Sequence, residues 1–253
     1  MNEVAEPINF ITLFYNHLDE NAFFAFLHRW DNILFSLLVA FLITGIFCYG
    51  AKKRELIPTG LQNFLELLAD YLNTLVVGVL GPEGTKYTPF LGSLFVYILC
   101  MNLFGIIPLM KSPSANINIT AAHAICVFIL VQYLNIKNMG IKGFIYHMAG
   151  SPKDLITWIM VPLMLPIELI TQLARPITLA FRLFGNIFGE DVLIGYFAML
   201  GATLLPMLYP LGLPLQTPFL FLALLTSLMQ ALVFTLLTTV YILLSIPEAE
   251  EHA

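Results

Sequence analysis

Charged residues are scarce in this chain. Only 11% of its 253 residues are Asp, Glu, Lys or Arg, whereas 59% are hydrophobic and the mean hydropathy is +0.86. About a quarter of the residues in an average soluble domain are charged, so this composition excludes an ordinary soluble domain. The formal net charge of -5 gives no reason to expect a nucleic-acid partner. The sequence predicts an integral membrane protein.

Motifs of catalysis and metal binding are also lacking. The chain has no HExxH, GxSxG or GxxxxGK[ST] segment and no Cys and His residues at metal-ligand spacing. Cys48, Cys100 and Cys126 stand singly in apolar segments and are interpreted as small buried hydrophobic residues. His123, inside a predicted span, either packs with a hydrogen bond or relays a proton. We expect no metal, no cofactor and no enzymatic reaction.

The chain also lacks internal repeats, a Gly/Ser-rich linker and a basic N-terminal targeting segment. The early acids without early Lys or Arg predict that the N-terminus remains on the mature chain. We predict one membrane domain at 33–246, preceded by an N-terminal segment at 1–32 and followed by a tail at 247–253.

Long apolar runs predict about five membrane-crossing helices, because about 20 residues span a core about 30 Å thick. Residues 58–80 differ, because apolar side chains recur there at helical spacing opposite a polar side, which predicts an amphipathic helix that need not cross. The predicted spans are 33–50, 90–110, 118–136, 154 to about 205, and 218–246.

The basic residues predict the orientation. Lys52, Lys53 and Arg54 follow the first span directly, and such clusters favour the cytoplasmic side. The N-terminus is then outside, and the amphipathic helix that follows the basic cluster is on the cytoplasmic side. Five crossings also place the C-terminus on the cytoplasmic side. The fourth run would reach about 75 Å as one helix, so it is either strongly tilted or two spans.

Arg182 lies within the fourth apolar run. Its guanidinium stays charged, and a charge at the bilayer centre costs at least about 2.5 to 3.5 kcal/mol, which suggests a functional role. On a helix, Glu168 and Asn186 share its stripe, whereas Glu190 and Asp191 follow on its outer side. This pattern favours an ion conductor or transporter. The alternatives are a static ion pair in a structural scaffold and an independent transporter of an anionic substrate.

Two further polar residues have less specific interpretations. Arg175, seven residues before Arg182, is interpreted as a residue that reaches the membrane interface or pairs with Glu168. Gln230 in the last helix, taken alone, needs no role beyond an interhelical hydrogen bond.

The segment RLFGN, flanked by RPITLAF and GEDVLI, resembles the a subunit of the F-type ATP synthase, the membrane stator beside the rotating c-ring. The resemblance extends over about 33–246. It is reinforced by FVYILCMNLFGIIP, PSANINITAAHAICVFIL and LTSLMQALVFTLLTTVYI.

The resemblance implies that Arg182 faces the ion-binding carboxylate of each passing c subunit. It also implies that two half-channels carry H⁺ or Na⁺ and that 154–246 form a strongly tilted hairpin. The c-ring and the peripheral-stalk b subunits would be partners in a bacterial inner membrane. By this resemblance Asn186 stands beside the arginine, Gln230 approaches it, Glu168 lies on the cytoplasmic exit side, and Asp191 belongs to the outer half-channel.

The sequence departs from the family pattern at three positions. Asp191 stands where many members have glutamate, Glu190 where several have glycine, and Ala223 where some carry an ionisable His or Glu. We hypothesise that Glu190 supplies the polarity that those members place on the last helix.

Overall fold

The protein is described by a computed structural model over residues 27, 29–52, 58–107, 109–150, 155–204 and 215–246. These ranges contain six α-helices, two short 3-10 helices and no β-strand. The predicted all-α membrane fold is therefore confirmed. The helices are α1 (Asp31–Gly50), α2 (Leu61–Leu80), α3 (Thr88–Phe104), α4 (Ile117–Met148), α5 (Leu155–Leu204) and α6 (Thr217–Leu243).

Five of the helices are long and apolar enough to cross a membrane, but the set differs from the predicted one. It includes the amphipathic α2, whereas α3 has only 17 residues. At 1.5 Å per residue α3 is about 26 Å long, which is the lower limit for a span. α3 is central in the bundle, where it packs against α1, α2 and α6. Leu91, Ile98 and Met101 of α3 are fully buried.

The amphipathic pattern of α2 is only partly used for packing within the chain. Leu72, Val76 and Leu80 are buried in the core, whereas Phe64 and Leu67 nearer its beginning are exposed. The first half of this helix therefore offers apolar side chains to its surroundings.

The helix that begins at Ile117 extends twelve residues beyond the predicted end of the third span at Ile136. Gly140 interrupts it with φ 70° and ψ 165°, a conformation that a residue with a Cβ rarely adopts. The apolar run predicted the membrane part, and the glycine separates that part from a second helical segment ending at Met148.

α5 is a single helix of 50 residues that passes through Pro162, Pro166 and Pro176. It is not divided into two helices, so one of the two predicted alternatives is removed. A straight helix of this length is about 75 Å long, far longer than an upright crossing of a core about 30 Å thick requires, and its strong tilt stays a prediction. α6 packs alongside it, and the turn of the predicted hairpin falls in 205–214, outside the described residues.

Polar contacts mark the two ends of the bundle. At one end the Lys111 ammonium lies 3.5 Å from Asp31 Oδ2, which ties the start of α1 to the connection between α3 and α4. At the other end Asn138 Nδ2 donates to the Ser245 carbonyl over 3.1 Å, which joins α4 to the end of α6. These ends are called the Lys111 end and the Ser245 end below.

The prediction that all three cysteines are buried is wrong. Cys48 and Cys126 are exposed and Cys100 is half-buried. In a membrane protein an apolar segment can face lipid as readily as the core, so hydrophobic neighbours do not predict burial. The predicted division at residues 32 and 247 stays untested, because 1–26 and 247–253 lie outside the described residues. The orientation of the chain in the membrane also stays a prediction.

Candidate functional site

Arg182 lies near the middle of α5 and its side chain is exposed on the surface of the chain. Among the described residues, no carboxylate lies within salt-bridge distance of its guanidinium. The interpretation of Arg182 as one half of an internal ion pair therefore finds no support in the described part of the chain. A permanent positive charge is instead presented outward from the longest apolar helix.

The surface around Arg182 is built from small residues. Gly185, Asn186 and Gly189 follow it at three, four and seven positions along α5, which places all four residues on one side of the helix. A Cβ added to either glycine would meet no atom within 4 Å. This side of the helix, which we call the Arg182 face, is thus open and allows another helix to approach closely.

One hydrogen bond joins the Arg182 face to α6. Asn186 Nδ2 donates to Gln230 Oε1 over 2.8 Å. Gln230 is only 3% exposed, and its Nε2 has no partner among the described residues. The two amides lie beside each other, as the resemblance implies, but this geometry alone is also what a simple interhelical hydrogen bond would give.

Toward the Lys111 end, Glu190 connects α5 with α6. The Thr226 hydroxyl is within hydrogen-bonding distance of Glu190 Oε2, and the Ser227 hydroxyl lies 3.5 Å from Oε1. Ala223, one turn before Ser227, is fully buried. Glu190 therefore directs its carboxylate at the part of α6 where this chain lacks an ionisable residue.

This polar cluster continues into α3 and the loop after it. Asn102 Nδ2 donates to the Ser227 carbonyl over 3.3 Å, and Asn102 itself is 1% exposed. The half-buried Asp191 lies within electrostatic range of both Glu190 and Lys111. Carboxylates, hydroxyls and an amide from three helices thus meet between Arg182 and the Lys111 end.

Toward the Ser245 end, a second set of polar residues begins at Glu168. Gln172 Nε2 donates to Glu168 Oε1 over 3.2 Å, and Gln132 Nε2 of α4 donates to Gln172 Oε1 over 2.9 Å. Gln172 is buried and Glu168 is half-buried. The predicted stripe residue Glu168 is therefore linked to α4 as well as to its own helix.

Of the two alternatives for Arg175, the pairing with Glu168 is not formed, and a position at the membrane interface stays a prediction. The Arg175 guanidinium carbon lies 5.4 Å from the centre of the Tyr241 ring on α6, in a cation–π contact. Seven helical residues separate the two charged positions by about 10 Å along the axis, which two side chains on one stripe do not easily bridge. Tyr241 on the neighbouring helix is closer.

The structure thus groups Glu190 and Asp191 on one side of Arg182, and Glu168 on the other. Their roles in ion movement stay predictions. Sequence reasoning gave no role to Asn102 and Gln132, although an amide inside an apolar run was the available signal. His123 packs, with Nδ1 2.7 Å from the Ile119 carbonyl oxygen and its ring centroid 5.2 Å from that of Tyr97.

Comparison with known proteins identifies the family of the chain. The family described as ATP synthase A chain matches residues 33–243. The chain is 56% identical over 251 residues to ATP synthase subunit a of Protochlamydia amoebophila, an alignment that covers 99% of this chain and 93% of the relative. It is 38% identical over 234 residues to ATP synthase subunit a 1 of Pelobacter propionicus, covering 92% of each. It is 35% identical over 212 residues to ATP synthase subunit a 1 of Syntrophotalea carbinolica, covering 84% of each. The chain therefore belongs to the ATP synthase A chain family.

Proposed function

We propose that this chain is the membrane stator that guides H⁺ or Na⁺ through two aqueous half-channels to and from the carboxylate of a rotating c-ring. Ion flow through the half-channels turns the ring and drives ATP synthesis elsewhere in the complex. Family membership supports the coarser statement that the chain acts in ion translocation by the membrane sector of an ATP synthase.

The outward position of Arg182 carries this proposal. A charged side chain in a membrane is costly unless a partner compensates it, and the described part of the chain supplies no carboxylate at salt-bridge distance. An ionised carboxylate on a neighbouring protein is the matching partner. The open glycine positions beside Arg182 leave room for a helix that carries such a group.

The polar groups on either side of Arg182 are the proposed half-channels. Glu190, Asp191 and their α6 hydroxyl partners would form the outer one, and Glu168 with Gln172 the inner one. Along the α5 axis, Glu190 lies about 12 Å and Glu168 about 21 Å from Arg182. An ion would therefore enter and leave at different depths in the membrane. It could pass from one half-channel to the other only while bound to the carboxylate of the rotating c-ring.

The electrostatics of the rotor site explain how ion movement is coupled to rotation of the ring. A neutral, ion-loaded carboxylate can face lipid, whereas an ionised one is excluded by the cost of desolvation. Arg182 attracts the ionised site, which favours release of its ion into one half-channel before reloading from the other. Its charge also repels free cations, and this closes a direct leak. Each charge moved through 100 mV contributes about 2.3 kcal/mol.

The rest of the assignment follows the same family relationship. The chain itself would bind no nucleotide and catalyse no reaction. Its proposed partners are the c-ring and the peripheral-stalk b subunits, and its site is a bacterial inner membrane. The basic residues after α1 favour an outer N-terminus and a cytoplasmic C-terminus. The Lys111 end is then outside and the Ser245 end is cytoplasmic.

Glu190 is proposed to replace the ionisable group that some relatives carry at the position of Ala223. Its contacts with Thr226 and Ser227 support this exchange, because they bring a carboxylate from α5 to within one turn of Ala223 on α6. The outer half-channel would then keep an acidic group, supplied by α5 in this chain and by the last helix in those relatives.

The test is ATP-driven ion pumping and passive ion leak in inverted vesicles that contain the whole complex, with Arg182→Ala beside the unaltered protein. We expect pumping to be lost and leak to rise while the complex still assembles. Arg175→Ala is the matched control, because it removes the same side chain two turns away, and it should keep the leak low. Normal coupled pumping by Arg182→Ala would refute the proposal.

A further inference from the structure

The Gln132–Gln172–Glu168 chain runs across the interface between α4 and α5. Both of its hydrogen bonds join side chains, at 2.9 Å and 3.2 Å, and two of the three residues belong to α5. Gln132 alone comes from α4, where its neighbours Val131 and Leu134 are buried apolar residues. A long amide side chain is therefore placed in a helix interface that apolar residues could have filled.

A cavity adjoins this chain of amides. Its volume is about 20 Å³, and Gln132, Asn135, Gln172 and Arg175 belong to a wall that is otherwise apolar apart from the Tyr241 hydroxyl. The wall continues to Leu179, three residues short of Arg182 on α5. The cavity thus extends from the level of Gln172 almost to the level of Arg182, about 10 Å along the helix.

The Gln132 side chain has an unused acceptor. Its Oε1 is buried and has no hydrogen-bond partner among the described residues. A buried polar atom left unpaired is destabilising. The adjoining cavity of about 20 Å³ exceeds the roughly 10 to 15 Å³ that one water molecule needs, and Gln132, Asn135 and Gln172 supply polar partners on its wall. A water molecule in the cavity would donate a hydrogen bond to the Gln132 side-chain carbonyl. An amide whose only role was to join two helices would not need such a water.

The positive charge on the cavity wall is restrained. Arg175 is held over the Tyr241 ring by a cation–π contact, so its guanidinium lies at the side of the cavity toward α6. The wall also carries three amide groups, those of Gln132, Asn135 and Gln172, which can both donate and accept hydrogen bonds. This arrangement is suited to an ion that moves with, or along, water molecules.

We propose that Gln132 and Gln172 hold a hydrated passage between α4, α5 and α6, which connects Glu168 with the level of Arg182. Gln132 is then a positioning residue of the inner half-channel, contributed by a helix outside the α5–α6 hairpin. This inference rests on the proposed function and adds to it the path and the residue that shapes the path.

The experiment uses the whole complex in inverted vesicles, with Cys48, Cys100 and Cys126 replaced by serine. A cysteine is introduced by Gln132→Cys, and Ag⁺ or a cationic methanethiosulfonate is added while ATP-driven pumping is measured. Leu134→Cys is the matched control, because Leu134 is buried two residues away in α4 and does not line the cavity. Asn135→Cys, on the cavity wall, provides a second position if Gln132→Cys does not assemble.

We expect loss of pumping by Gln132→Cys and Asn135→Cys on adding reagent, with Leu134→Cys unaffected. We also expect Gln132→Leu to slow pumping and passive conduction in a fully assembled complex, whereas Gln132→Glu keeps them. Insensitivity of both cavity positions to reagent would overturn the passage, and so would equal sensitivity of Leu134→Cys. Arg182→Ala in the same vesicles separates the two proposals: if it abolishes pumping while the cavity cysteines are inert, the passage alone is wrong.

Discussion

The Arg182 face makes the sharpest prediction, because stability of the chain and function of the complex should respond in opposite directions. Gly185 and Gly189 are helical and have no atom within 4 Å of an added Cβ. Replacing a helical glycine by alanine is worth about 0.8 to 1 kcal/mol in intrinsic helix propensity. The isolated chain should therefore accept alanine or leucine at either position without loss of stability.

The assembled complex should not accept leucine there. If a rotor helix packs against this face, the added side chain overpacks the contact at a cost of about 1 to 3 kcal/mol. That range corresponds to roughly a 5- to 150-fold weaker contact between stator and ring. We expect Gly189→Leu to reduce ATP-driven pumping strongly and Gly189→Ala to reduce it slightly, because the methyl group intrudes less.

Gly45 in α1 provides the matched control. It is also a helical glycine with open space around its Cβ position, and it lies on a helix remote in sequence from Arg182. Pumping by vesicles with Gly45→Leu should equal that of the unaltered complex. The measurement is the initial pumping rate per complex, together with the amount of c subunit recovered on purification. Unchanged pumping by Gly189→Leu, or equal loss in both leucine variants, would contradict a close contact at the Arg182 face.

Two further predictions concern the Lys111 end. Glu190→Gln should lower ion flux because it removes the carboxylate that contacts Thr226. If Glu190→Gln left the flux unchanged while Asp191→Asn abolished it, Glu190 would not be the acidic group that replaces the missing ionisable residue at Ala223. Asp31→Asn and Lys111→Met should each lower the thermal stability of the complex, since each leaves a mostly buried charge without this partner. The loss of thermal stability in the double variant should be smaller than the sum of the losses in the two single variants, with a coupling energy of about 0.5 to 3 kcal/mol. Additive losses would mean that the 3.5 Å contact does not stabilise the complex.

The helices were predictable because the bilayer imposes a simple rule on the sequence. Every backbone group in the hydrocarbon must be paired, so an apolar run becomes a helix whatever its neighbours are. The continuity of α5 was not predictable, since Pro162, Pro166 and Pro176 have the same local chemistry in a kinked helix and in a broken one. Length alone could indicate a tilt, but only the fold shows that no break occurs.

The polar contacts between helices were less predictable. Positions on one helix follow from a period of 3.6 residues, which is why Arg182 and Asn186 could be assigned to one side of α5. The partners on other helices depend on register, which the sequence does not state. Gln132 and Gln172 are 40 residues apart and Arg175 and Tyr241 are 66 apart, and neither pair has a sequence signal beyond polarity in an apolar run.

The packing behind Arg182 shows why the proposed half-channels need a rotor between them. Leu179, Leu183 and Ile187 of α5 are at most 1% exposed, and Phe234 of α6 is fully buried. These apolar side chains fill the interior at the level where the polar groups of the two ends would otherwise meet. Around the Asn186–Gln230 hydrogen bond this seam is apolar, so an ion in it would lose most of its hydration without replacement, which costs far more than thermal energy supplies. The Arg182 face, on the outside of the same helix turns, offers the alternative route, and its charge admits an ionised carboxylate while repelling a bare cation. Apolar packing inside and a fixed charge outside thus act together: the first prevents a leak through the chain, and the second makes passage dependent on the partner that carries the carboxylate.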